Sequence, residues 1–203
     1  MERRMTPAGE IKVETRADGG KTIVGYGAVF HREGEAGTEY RLGSDIVERI
    51  APTAFNRALQ EKHDARALFN HDPNMLLGRA GAATLRLSVD QRGLRYEIDI
   101  PDTQVGKDVA TSIARGDLTG SSFAFAINGK DGQRFEKGKE RDVRHILDVN
   151  LYDVGPVTYP AYEGTTTGLR SGDASDAHEA RDAWQRECEA IAVRLRTLEL
   201  ENA

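Results

Sequence analysis

Three side chains have the types that acyl transfer needs: His71 in LFNHDPNMLLGR, Ser122 in GDLTGSSFAF and Asp153 in LYDVGPVTYPAY. A serine hydroxyl is a weak nucleophile near neutral pH. It needs a base within hydrogen-bond reach, and that base usually needs a third group to orient it. Histidine and a carboxylate are the residue types that fill these roles in serine hydrolases. The chain order, His then Ser then acid, matches neither the nucleophile-elbow hydrolases nor the chymotrypsin or subtilisin orders, and no GxSxG is present. An α/β-hydrolase scaffold is therefore not indicated, and another one must hold these groups.

The elements that position them can be read from local pattern. In the strand-like run 120–128, alternation puts Ser122 with Ala124 and Ala126 on a small face, opposite Phe123, Phe125 and Ile127. The small face can admit a substrate backbone. Ser121 lies on the bulky face, where burial or a local hydrogen bond is its expected role, so Ser122 is the favoured nucleophile. His71 ends the short apolar run 67–69, before a turn at Asp72, Pro73 and Asn74. Read as one strand, residues 144–158 put His145, Leu147, Val149, Leu151 and Asp153 on one face and Asp148 and Asn150 on the other. Either His145 or Asp153 could then approach a histidine. Each residue also has an ordinary role open to it: a structural strand serine, a turn histidine, a solvent-facing aspartate.

Around these lie strands expected over 10–15 and 21–30, and a helix over 49–62 with Thr53 as N-cap. The alternating runs 85–89 and 94–100 give a hairpin. A helix over 103–115 has Thr103 to cap it and Gly116 to stop it. Residues 129–142 are charged and short of apolar side chains, which suggests an exposed loop. The core is expected to close near Tyr162. Residues 164–175 read as a flexible linker and 176–203 as an amphipathic helix, with Trp184, Cys188, Ile191, Leu195 and Leu198 forming a seam. That seam asks for a partner, either the chain's own domain or another helix.

The 203 residues have room for one good core, placed here at 1–163, plus the tail. With 21 glycines against 6 prolines, a β-rich fold with many turns is expected, and the helices read above make the class α+β, mainly β. A net charge of -5 with interspersed signs argues against nucleic acid as partner. Cys188 is the single cysteine, so no intrachain disulfide can form, and no His/Cys cluster suggests zinc. No apolar run reaches the roughly 18 residues of a membrane span, and a soluble, unexported protein is expected.

Five phrases stand in register with a known family. GYGAVF, ERIAPTAF, LFNHDPNMLLGR, the pair IDIPDT and IARGDLTGSSFAF, and LYDVGPVTYPAY occur in the order of similar phrases in the HK97-type prohead maturation proteases of tailed phages. The resemblance covers roughly residues 11–162. It implies an assemblin-like fold, a mostly antiparallel β-barrel surrounded by helices, with a Ser-His pair and a His or acidic third member. Carried over residue by residue, the family's histidine falls on His71, its serine on Ser122 and its acid on Asp153. Asp153 stands where the pattern more often has Glu, and His145 and Asp148 stay open as the third member. Ser121 replaces a usual Met, Ala124 a usual Gly and Gly155 a usual Ser.

The resemblance implies a serine endopeptidase that cleaves scaffold, or the scaffold-like segment of the major capsid protein, inside the immature capsid, and then cleaves itself. Its place would be the host cytoplasm, inside the prohead. Major capsid protein and scaffold would be its partners, with self-association through the C-terminal helix as a further expectation. No metal or organic cofactor, nucleic acid or membrane is implied. The alternatives are a catalytically silent assembly factor of the same fold and an unrelated small β-barrel binding module.

Overall fold

The computed structural model describes residues 1–6, 11–159 and 171–201. The first half of the chain runs β1 (Glu2–Thr6), β2 (Lys12–Thr15), β3 (Lys21–Val29), β4 (Tyr40–Arg41), β5 (Ile46–Ile50), α1 (Asn56–Gln60), β6 (Arg66–Leu68) and β7 (Leu76–Arg79). Next come the hairpin β8 (Leu85–Val89) and β9 (Gly93–Asp99), then α2 (Gln104–Arg115) and β10 (Gly120–Ile127). The last elements are β11 (Gln133–Glu136), β12 (Asp142–Ile146), β13 (Val149–Val157) and α3 (Ser171–Glu201).

The strands form three sheets, ordered β1-β10-β13-β6-β7, β11-β12-β5-β4 and β2-β3-β9-β8. The class is α+β and mainly β, but the described sheets do not close into the expected barrel. Each keeps two edges, and pairing is antiparallel except where β6 meets β13 and β5 meets β12. One continuous apolar core joins the sheets, with Phe30, Phe55, Phe123 and Phe125 in successive ring contact at its centre.

Where local chemistry is strong, the elements fall as expected. The Thr103 hydroxyl accepts from Gly106 N at 3.2 Å, and Gly116 at φ 82° ends α2. The hairpin β8–β9 keeps its alternation, with Leu94, Tyr96 and Ile98 buried. Three expectations fail where tertiary pairing overrides local pattern. The 49–62 helix shrinks to α1, because Arg49 and Ile50 pair with His145 and Ile146 in the sheet and Pro52 disfavours a helical Ala51. Phe55, not Thr53, holds the cap position, and the Thr53 hydroxyl donates to Leu147 O. The charged segment 129–142 contains β11, whose Phe135 is buried against Trp184.

Two features tie the periphery to the core. Glu2 and Arg4 of β1 meet Glu48 of β5 and Arg144 of β12 in a buried cluster, each carboxylate held by both guanidiniums at 2.6 to 2.9 Å. The proximal part of α3 folds back on the β domain: Ala177 packs with Leu42 and Ile46, and His178 and Arg181 both bond Asp45. Ile191 and Val193 further along are exposed. Residues 160–170, with most of the expected linker and the point near Tyr162, lie outside the described residues, as do the side chains of Leu195 and Leu198.

Candidate active site

Ser122 sits in β10 between two strands, opposite Met5 of β1 and Gly155 of β13. Its neighbours Phe123 and Phe125 point into the core, as alternation requires, and Ser121 on that same face meets the Tyr96 hydroxyl at 2.7 Å. Burial pushes that tyrosine hydroxyl far above its ordinary pKa. Ser121 is thus committed to the core and Ser122 to the opposite face.

Asp153 reaches the Ser122 face through an irregularity that alternation does not anticipate. Ala124 pairs with Asp153, but Phe125 pairs with Leu151, so Tyr152 is an extra residue on β13. Such a bulge reverses the facing of the residues beyond it. Leu151 and Val154 both enter the core, while Asp153 lies over Ala124 beside the serine. The single strand expected over 144–158 is in fact two, broken at Leu147 and Asp148. His145 is on β12 in another sheet with its Nε2 3.1 Å from Glu136, and Asp148 bonds Arg57 and Asn128. Burial alone would raise the Asp148 pKa; those hydrogen bonds and the Arg57 charge outweigh it and hold the carboxyl below its ordinary range. Neither residue meets His71.

His71 arrives by a third route. β6 lies parallel to β13, with Arg66 opposite Asp153, and its chain then enters a 3-10 turn over Phe69–His71. Asn70 (φ 56°) and His71 (φ 58°) are both left-handed, a conformation costing about 1 to 3 kcal/mol per non-glycine residue that persists only where surrounding contacts enforce it. Gly155 lies inside β13. A Cβ there would overlap the Leu68 carbonyl, so glycine is what lets the end of β6 come this close.

The three groups form one series. His71 Nδ1 lies 2.5 Å from Asp153 Oδ1, and His71 Nε2 lies 2.6 Å from Ser122 Oγ. An ionised carboxylate only accepts, so Nδ1 carries the proton it donates and Nε2 of the neutral ring is free to accept. The serine hydroxyl has a second acceptor: Oγ lies 2.8 Å from the Arg4 carbonyl oxygen. One proton thus faces two acceptors. Ser122 is 0% exposed and the His71 and Asp153 side chains 8% and 7%. The series stands in low dielectric, where its electrostatics count for more.

β1, which supplies the Arg4 carbonyl, is the part of the site that sequence reasoning missed. Its buried positions, Glu2, Arg4 and Thr6, alternate as a strand should, but with polar residues in place of apolar ones.

A mainly β chain with serine, histidine and aspartate bonded in that order has the geometry of serine hydrolases. Residues 9–179 match the caudovirus prohead serine protease family, and the chain belongs to it. That makes it a serine peptidase by family, with a role in phage capsid maturation and a place inside the prohead. No curated protein and no solved structure matches it. Among the described residues, no helix is long and apolar enough to cross a membrane.

Proposed function

We propose that the chain is an endopeptidase in which Ser122 is the nucleophile, His71 the general base and Asp153 the group that orients the imidazole. The observation that carries this reading is the single imidazole bonded at both nitrogens, one to Ser122 and one to Asp153. In the forward step His71 Nε2 takes the hydroxyl proton as Oγ attacks a peptide carbonyl. The imidazolium so formed is stabilised by Asp153. Collapse of the tetrahedral adduct breaks the C–N bond, and His71 returns the proton to the departing amine. Water, activated by the same base, then hydrolyses the acyl-enzyme.

The substrates of this reading are the scaffold or the scaffold-like segment of the major capsid protein, and then the protease itself. The distal half of α3 supplies the docking segment, onto scaffold, capsid protein or a second copy, since its proximal half is already engaged at Asp45 and Phe135. Docking inside a closed shell raises local concentration without a better active site. The silent assembly-factor alternative would gain from a lost Asp153–His71 contact, and that contact is present.

Intact mass over time, for wild type and Ser122→Ala alone and mixed with the partner capsid protein, tests the reading. Trimming of either protein by wild type alone is the expected result. Binding without cleavage by both would turn the assignment to the assembly factor.

A further inference from the structure

His71 holds a left-handed backbone directly after another left-handed residue. The Asn70 side chain anchors that turn: its Nδ2 donates to Thr158 Oγ1 at 2.9 Å, and its Oδ1 accepts from Thr158 N at 2.8 Å. Both bonds go to one residue, 88 positions away, just past the end of the strand that carries Asp153. The amide therefore ties the turn bearing the base to the strand bearing the acid at a second point, beyond the His71–Asp153 contact itself.

We propose that Asn70 and Thr158 are positioning residues that hold the His71 ring between Asp153 and Ser122. Asparagine suits the place twice over: it tolerates the left-handed conformation, and its side chain offers a donor and an acceptor in one plane. Glycine would keep the backbone but drop both bonds. Valine at Thr158 would keep the backbone donor and drop the hydroxyl. A misplacement near 1 Å of a catalytic group costs about 100-fold in rate, so a clamp of this kind is read in kcat.

The inference rests on His71 being the base, and two readouts keep the two ideas apart. In the full-length protein, Asn70→Gly and Thr158→Val are each expected to lower kcat by about 10- to 100-fold at unchanged KM. They should also be less than additive together, because they break one clamp. Asn70→Asp, which can accept from both the Thr158 N–H and its hydroxyl, is expected to recover most of the rate. Independently of activity, proton NMR of wild type should show the His71 Nδ1–H bonded to Asp153, and Asn70→Gly should weaken or lose that resonance at unaltered melting temperature. A resonance of wild-type strength in Asn70→Gly, or a kcat loss that merely tracks a drop in melting temperature, overturns the clamp. A wild type that cleaves nothing while Asn70→Gly still loses the resonance overturns the protease reading and leaves the clamp standing.

Discussion

Asp153 is one methylene shorter than the glutamate its phrase more often carries, and it still reaches His71 at 2.5 Å because the bulge at Tyr152 turns it over the serine. Asp153→Asn is expected to keep the fold and lower kcat by about 10,000-fold, through the wrong imidazole tautomer; steady-state kinetics beside circular dichroism would check both halves. Asp153→Glu has to fit an extra methylene into a nearly closed site, an overpacking that costs about 1 to 3 kcal/mol. Lower activity and a lower melting point are expected together. Gly155→Ala should do the same more severely, since its Cβ meets the Leu68 carbonyl, and thermal denaturation reads that directly. The opposite facing of Ser121 and Ser122 is legible in the sequence because Phe123 and Phe125 mark the core face. The face of Asp153 is not, because a bulge leaves no composition mark and shifts alternation by one.

The β1 element carries charge where a strand ordinarily carries apolar side chains, and its partners lie in β5 and β12. Breaking one member of a buried ion cluster strands the others, at about 3 to 5 kcal/mol. Glu48→Ala is expected to lose stability on that scale, measured by urea denaturation, and to loosen the β1 carbonyl that faces Ser122. A loss of less than about 1 kcal/mol in Glu48→Ala would contradict the cluster's role. Helix α2 and the β8–β9 hairpin are readable because cap, stop and alternation all lie within a few residues of one another. β1, β11 and the shortened α1 are not, because each is decided by a contact distant in sequence: Phe123 for Arg4, Trp184 for Phe135, His145 for Arg49.

For the molecule as a whole, acid is the stress to which the charge clusters point. Burial alone would raise the Glu2 pKa, but the hydrogen bonds and charge of Arg144 and Arg4 outweigh it and hold the carboxyl below its ordinary value of 4.5. A carboxylate depressed in the folded state contributes stability that is fully present above its unfolded pKa and is lost as pH falls through the folded value. Melting temperature should therefore fall as pH drops below 4.5, and the gap between wild type and Glu2→Gln should narrow over the same range. Truncation after Gln185 keeps the contacts of Ala177, Arg181 and Trp184 and removes helix whose described side chains are exposed. It is expected to leave the melting point and peptide cleavage unchanged while abolishing incorporation into proheads, and incorporation at wild-type levels would refute the docking role. The three groups of the site also lie far apart along the chain: His71 is 51 residues from Ser122 and 82 from Asp153, and Ser122 is 118 from Arg4. A chain leaving the ribosome N-terminus first has nothing to cut with until residue 153 has emerged and the long-range strands have closed, so under the proposed activity translation itself delays the onset of proteolysis.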